Sequence, residues 1–345
     1  MKKPILALIL FFGLSSLSTA TEIALQDRHP DRYVVVKGDT LWGIAGKFLK
    51  EPWRWPEIWK MNKQQIKDPH WIYPGDMIVL DMSSGSPELR LVKDDPKTIK
   101  LSPRVRVEPL KTSAIPSIPQ AAIGPFLSKP LVIAEGELEK APYIVGTEEG
   151  RVVLGAGNSA YVQSIQEGGS LNWHIYRPGK ALTDPDSNET LGYEAIYLGD
   201  ARITRFGAPA TIDITKSTQE INIGDRLVEM KEAAASAYVP HAPEKAIFGR
   251  IISAYGSLAE VGKGAIVTLN KGNRDGLEIG HVLALYRHGR SIAPGAHDDT
   301  SPEAIKLPDE RYGLVFVFRV FENLSYALVM QSERPVQMLD DVRTP

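Results

Sequence analysis

Residues 33–45 read YVVVKGDTLWGIA, and this stretch decides the fold of the N-terminal part of the chain. The run Tyr33–Val36 predicts a strand, because β-branched and aromatic side chains pack well on a pleated surface. Lys37 and Gly38 predict a turn, and Asp39 is expected to cap the helix that follows. The apolar residues of this helix recur at helical spacing and define one face: Leu41, Ile44, Ala45, Phe48 and Leu49.

The pattern continues to residue 80 with a second helix and a second strand. Pro52 is expected to end the first helical region, and Pro56 stands where the first turn of a second helix accepts proline. Pro74 and Gly75 predict a turn, and Met77–Leu80 predicts a strand. The order strand, helix, helix, strand therefore indicates a small α+β domain.

Several motifs of this region resemble the LysM family of carbohydrate-binding modules. They are, in chain order, residues 33–45, Trp55–Ile58, Asn62, Asp68–Pro69 and Ile72–Asp76. The resemblance implies a βααβ domain over residues 33–81 that binds N-acetylglucosamine polymers, namely peptidoglycan or chitin. It also implies a glycan-binding groove between two loops, to which these residues carry over: Gly38, Asp39, Thr40 and Leu41 from the first loop, and Pro69, Ile72, Tyr73 and Pro74 from the second.

The chemistry of the sugar suits such a groove. Its acetamide has one hydrogen-bond donor and one acceptor, which backbone C=O and N–H groups can meet, and its ring faces are apolar. Gly38 would allow close approach of the backbone, while Ile72 and Tyr73 would form an apolar floor. The role of Asp39 stays open between helix cap and direct ligand.

Tryptophan is concentrated in the same region, which holds five of the six in the chain. Such density is typical of a small domain that builds its core and its surface from aromatic rings. Trp42 and Trp59 are expected in the core. Trp53 and Trp71 are either core residues or sugar contacts.

The N-terminus has the pattern of a secretory signal peptide. Lys2 and Lys3 precede an apolar run, Ile5–Leu14, that is too short to span a membrane. Small residues at Ser18 and Ala20 predict cleavage after Ala20. The sequence therefore predicts a periplasmic protein that has no transmembrane span once residues 1–20 are removed.

The rest of the chain is predicted to be a linker followed by β structure. Residues 82–140 are rich in proline and are expected to be extended, with one short helix over residues 120–127. Residues 141–230 and 247–345 contain short alternating apolar runs separated by turn residues, which predict two β domains of barrel or sandwich type. The fold class is therefore α+β: a βααβ domain, a proline-rich linker and a mostly-β C-terminal region.

The two β domains are predicted to be an internal duplication. Tyr176–Lys180 matches Tyr286–Arg290 at an offset of 110 residues. Further along, the offset becomes 115, and four pairs then match: Phe206 with Phe321, Ser217 with Ser332, Ile221 with Val336, and Asp225 with Asp340.

Composition excludes several functional classes. The net charge of −2 argues against a nucleic-acid-binding protein, and the lack of cysteine excludes disulfides, a thiol nucleophile and a cysteine-ligated metal. No metallopeptidase, acyl-serine or nucleotide-binding motif is present, so no cofactor, metal or catalytic residue is expected. An acid pair among Asp184, Asp186 and Glu189 is conceivable, although a polar hairpin is the simpler interpretation.

The function expected from the sequence is non-catalytic binding of peptidoglycan by an exported envelope protein. Two alternatives stay open: a cell-wall hydrolase targeted by the LysM module, and an envelope-assembly adaptor that binds a protein through residues 141–345.

Overall fold

A computed structural model describes residues 23–59, 72–83, 85–92, 116–128, 132–133, 137–230, 238–255, 260–292 and 305–345. Its N-terminal elements are β1 Arg32–Val34, α1 Leu41–Phe48, α2 Trp55–Ile58, β2 Met77–Asp81 and β3 Glu88–Val92. Next come α3 Gln120–Ser128, β4 Val132–Ile133 and α4 Glu137–Lys140. Within these ranges no helix has the length and apolar character needed to cross a membrane.

The first β region contains β5 Tyr143–Thr147, β6 Ser159–Gln163, β7 Asn172–Thr183, β8 Thr190–Arg205, β9 Ala210–Ser217 and β10 Arg226–Glu229. The second contains β11 Phe248–Tyr255, β12 Glu260–Val261, β13 Ile266–Leu269, β14 Val282–Arg287, β15 Ser291–Ile292, β16 Ile305–Lys306, β17 Glu310–Val320, β18 Ser325–Ser332, β19 Val336–Gln337 and β20 Asp341–Arg343. The α+β class with a mostly-β C-terminal region is confirmed.

The N-terminal domain combines two short helices with a three-stranded antiparallel sheet in the order β1-β2-β3. The predicted apolar face of α1 is confirmed, because all five of its residues are buried. They share one core with residues from both helices and from β2, among them Trp55, Ile58, Trp59, Ile72 and Ile78.

Thr40, and not Asp39, caps helix α1. The Thr40 Oγ1 accepts the Gly43 N–H at 3.0 Å, and the Thr40 backbone is extended. The prediction that Asp39 is the cap is wrong, because only the residue directly before the helix places its side-chain oxygen over the first free N–H groups. The carboxylate of Asp39 instead accepts hydrogen bonds from the Val36 N–H and the Tyr33 hydroxyl.

The stretch predicted to be a linker is partly a packed structure. Strand β3 lies between Pro87 and Pro96, and it pairs with β2 along its whole length. Leu89 in this strand is buried in the core of the N-terminal domain. Helix α3 is confirmed close to its predicted position, and Ile123 on it is fully buried. The expectation of an extended, unpacked segment is therefore wrong for these residues, because five residues without proline are enough to form a ladder.

The two β regions close into barrels with the same strand order. In the first, the pairings run β5-β6-β9-β8-β7-β10 and back to β5, and β4 extends β8 at the edge. In the second, they run β11-β13-β18-β17-β14-β20 and back to β11. We call these the first barrel and the second barrel. Each has its own interior core of mainly aliphatic residues, which includes Ile175, Leu227 and Ile212 in the first barrel and Leu285, Val342 and Ala327 in the second.

Equivalent ion pairs lie at the residues that the repeat pattern matches. Arg177 donates to both oxygens of Asp225 at 2.9 and 2.8 Å. Arg287 donates to both oxygens of Asp340 at 2.7 and 2.9 Å. Each arginine also donates to a backbone carbonyl five residues before its aspartate. The duplication stays a prediction, and the matched strand order and ion pairs support it.

Candidate functional site

The first loop is a tight turn fastened by Asp39. Its Oδ2 accepts the Val36 N–H at 2.9 Å and the Tyr33 hydroxyl at 3.0 Å, while the Asp39 N–H donates to the Val36 carbonyl. Gly38 has a φ of +96°, a conformation that favours glycine. Burial, and then the hydrogen bond to Asp39, raise the pKa of Tyr33. The Asp39 carboxylate is therefore already engaged in holding the loop.

The second loop repeats the same arrangement with Asp76. Its Oδ2 accepts the Tyr73 N–H at 2.9 Å, and its own N–H donates to the Tyr73 carbonyl at 3.0 Å. Both backbone hydrogen-bonding groups of Val35 bond to this loop. The Val35 N–H donates to the Asp76 carbonyl, and the Val35 carbonyl accepts the Gly75 N–H. The two loops thus lie side by side as one rigid unit.

The structure brings together most of the residues expected at the groove. Gly38 is exposed, and Asp39, Thr40, Tyr73 and Pro74 are half-buried. Leu41 and Ile72 are buried in the domain core, so a ligand could reach only their backbone groups. The expectation that the Ile72 side chain forms the floor of a groove is thereby corrected. Pro69 and Trp71 lie outside the described residues.

The four described tryptophans of the N-terminal domain divide between two cores. Trp55 and Trp59 pack edge to face inside the N-terminal domain, with ring centroids 6.2 Å apart. Trp42 is buried as expected, but it packs against the outside of the second barrel, with its ring centroid 6.3 Å from that of Phe316. Trp53 packs against the same cluster. Two of the tryptophans therefore connect domains.

The start of helix α1 binds another part of the chain. The Leu41 N–H donates to the Pro116 carbonyl at 3.0 Å, and the Trp42 N–H donates to the Ser117 carbonyl at 3.1 Å. These first-turn donors have no partner within the helix, so an external acceptor stabilises them. No sequence signal predicts this contact, since it joins residues about seventy-five positions apart.

The acidic hairpin between β7 and β8 binds the second barrel. Glu189 accepts two hydrogen bonds from Arg274, at 2.6 and 3.0 Å, which lower the pKa of its exposed carboxyl. Burial alone would raise the pKa of Asp184, but hydrogen bonds from the Asp186 N–H and from Asn270 lower it instead. A general acid for glycoside hydrolysis needs a raised pKa. These groups instead join the two barrels.

In the part of the chain that the structure describes, two groups of side chains offer metal-type ligand atoms within 4.8 Å of one another: His241 with Glu278 and His281, and His288 with Asp309 and Asp341. The His281 Nδ1 accepts the Glu278 N–H at 3.1 Å, so the proton of its neutral ring lies on Nε2. Burial lowers the pKa of His281. In the second group, Arg343 already bonds to both carboxylates. In the first group, the His241 Nδ1 lies 3.0 Å from the Val239 carbonyl oxygen. Internal contacts thus engage both imidazoles of the first group and both carboxylates of the second.

The fold and the paired loops define a class of carbohydrate-binding domain. The family model of the LysM domain matches residues 33–81, and this region is a LysM domain. The same region is similar to the uncharacterised protein YqbP of Bacillus subtilis strain 168, with 45% identity over 58 residues. That match covers 14% of this chain and 26% of the relative, so the chain spans about a quarter of the length of the curated relative it matches. A role in binding N-acetylglucosamine-containing glycans such as peptidoglycan follows for this domain.

Proposed function

We propose that the chain is an exported periplasmic protein that binds peptidoglycan through its LysM domain and catalyses no reaction. The observation that carries this proposal is the LysM domain at residues 33–81. The N-terminal sequence pattern, with cleavage after Ala20, supports export. One shallow site forms few contacts, so we expect weak binding to each sugar unit and stronger retention on a polymer that repeats the unit.

The groove proposed for the glycan lies between the two fastened loops. Gly38, Tyr73 and Pro74 offer accessible surface there, and the rigid turns keep that surface preformed. Leu41 and Ile72 would contribute backbone groups only. Preformed loops favour binding, because little conformational freedom is lost when the sugar arrives.

The acidic hairpin argues against the hydrolase alternative. The carboxyl groups of Asp184 and Glu189 in this hairpin have lowered pKa values and accept hydrogen bonds from Asn270 and Arg274. An adaptor role is favoured by a different observation on the first barrel. Val152, Val153 and Ile223 line one shallow depression there, and Val152 is 81% exposed. Clustered aliphatic surface of this kind is typical of a protein-binding patch.

Co-sedimentation with washed, insoluble peptidoglycan tests the proposal. The chain from Thr21 onward is compared with Tyr73→Ala and with Tyr161→Ala, a matched control in which a half-buried tyrosine of the first barrel is replaced. Loss of about 50 Å² of apolar contact predicts roughly 1 kcal/mol, or a fivefold weaker binding, for Tyr73→Ala alone. The same tubes are scored for released sugar and peptide. Failure of the parent chain to pellet would refute the proposal, and released fragments would favour the hydrolase.

A further inference from the structure

The outer faces of the two barrels differ sharply at matched positions. Gly199 pairs with Ser217 in the first barrel, and Gly313 pairs with Ser332 in the second, with bulges at the same places beyond them. This register aligns three polar positions of β8 with three apolar positions of β17: Asp200 with Leu314, Arg202 with Phe316, and Thr204 with Phe318. It likewise aligns Thr211, Asp213 and Thr215 of β9 with Tyr326, Leu328 and Met330 of β18. Only the second barrel therefore needs a cover on this face.

The cover comes from the N-terminal part of the same chain. Trp42 of the LysM domain, Ile118 just before α3 and Ile123 on α3 are all buried in one cluster with Phe316 and other apolar residues of this face. At the equivalent positions of the first barrel, Arg202 and Asp213 are exposed. The second barrel is thus built to hold the LysM domain and residues 116–128.

The covering segment also occupies hydrogen-bonding groups of the first LysM loop. Leu41 belongs to the set of groove residues, and its side chain is buried, so its N–H is the group it could offer to a sugar. That N–H is taken by the Pro116 carbonyl at 3.0 Å, and the next N–H along the helix is taken by the Ser117 carbonyl. A peptide carbonyl and an acetamide carbonyl are chemically equivalent acceptors. Ile118 then anchors the segment in the apolar cluster.

We infer that Pro116–Ile118 is an internal competitor of the glycan. In the docked form, the segment and the second barrel hold the first loop. The glycan binds after the segment leaves the start of α1, so docking and glycan binding exclude each other. This inference rests on the proposed glycan-binding function. A ligand that binds only the undocked form has its apparent affinity reduced by the fraction of molecules that are undocked.

Substitution of Ile118 with aspartate tests this competition. The chain from Thr21 onward, its Ile118→Asp variant and an Ile279→Asp control are titrated with an N-acetylglucosamine pentasaccharide by calorimetry. Ile279 receives the same chemical change at an exposed site of the second barrel, outside the apolar cluster. Because minor states commonly make up about 0.1–10% of molecules, we expect Ile118→Asp to bind about tenfold tighter or more than the parent. The control should bind as the parent does.

The outcomes separate the two levels of the hypothesis. Tighter binding by Ile118→Asp supports the competition. Equal or weaker binding by a folded variant overturns it, while the glycan-binding function stands. Absence of binding by every variant overturns both.

Hydrogen exchange on the parent chain gives a second measurement that does not depend on the variant folding. Saturating pentasaccharide should speed exchange in the peptide that covers residues 117–128. Binding without this change would also overturn the competition.

Discussion

Replacement of Asp340 with alanine is expected to destabilise the second barrel by about 3 kcal/mol. Asp340 is buried and accepts four hydrogen bonds: two from Arg287, one from the Gln337 N–H at 2.8 Å, and one from the Tyr312 hydroxyl at 2.6 Å. Removal of the Asp340 carboxylate deprives the Arg287 guanidinium, the Gln337 N–H and the Tyr312 hydroxyl of the acceptor that they share. Breaking a buried pair costs about 3–5 kcal/mol, and the low end applies because the Arg287 side chain is 26% exposed.

The first barrel supplies a matched comparison. Asp225 accepts the equivalent bonds from Arg177 and from the Asn222 N–H at 2.7 Å. The position that corresponds to Tyr312 is Leu198, as the equivalent backbone bonds of Thr218 and Glu333 indicate. Asp225 therefore lacks the hydroxyl bond, which is worth about 1 kcal/mol, and Asp225→Ala is expected to destabilise its barrel by about 2 kcal/mol.

Hydrogen exchange resolved by peptide, at several urea concentrations, measures the opening free energy of each barrel separately. This matters because a chain of several domains need not unfold in one step. A loss below about 1 kcal/mol for Asp340→Ala would refute the assigned role of the ion pair. Equal losses in both barrels from either variant would refute the idea that each pair acts within its own barrel.

Three further changes have defined outcomes. Thr40→Ala should destabilise the LysM domain by about 1 kcal/mol in urea unfolding, because it removes the cap of α1, and Thr40→Ser should restore most of it. The lowered pKa of His281 means that the unfolded chain binds more protons than the folded chain. Stability should therefore fall as the pH drops below about 6.5, and this fall should be smaller in His281→Asn when thermal melts at several pH values are compared. Gly280→Ala should lower stability more than Gly276→Ala in the same melts: both have positive φ, but a Cβ at Gly280 would lie 2.7 Å from the Val239 carbonyl oxygen, whereas at Gly276 nothing lies within 4 Å.

The LysM domain could be predicted from sequence because its signals are local. Helical spacing from Leu41 to Leu49 and the proline at position 56 determine elements that depend on neighbouring residues only. The sequence alone predicts the cap one residue too early, since Asp39 and Thr40 are both good capping residues and only the geometry of the turn separates them. The loop-fastening role of Asp39 has a sequence signal, because Asp76 follows Tyr73 at the same spacing as Asp39 follows Val36.

Long-range contacts could not be predicted in the same way. The sequence does not predict the pairing of β3, because the surrounding prolines dominate the composition of that stretch. The docking of Trp42 on Phe316 joins residues that are far apart in the sequence, and no local pattern around either residue predicts the contact. The sequence nevertheless contains a signal for a covered face: residues 314–318 read LVFVF, whereas the residues at the matched register positions of the first barrel, 200–204, read DARIT. A continuous apolar run indicates a strand buried on both faces, and alternation indicates one buried face.

That doubly buried strand also constrains the order in which the chain can safely fold. Uncharged runs of aromatic and branched residues such as LVFVF are prone to self-association when they are bare. The residues that shield its outer side, Trp42, Ile118 and Ile123, precede it along the chain and are synthesised before it. When the aggregation-prone strand β17 is synthesised, the residues that cover it are therefore already present in the growing chain. A recombinant fragment that starts after α3 would expose this strip, and fragments meant for crystallisation should begin no later than the LysM domain.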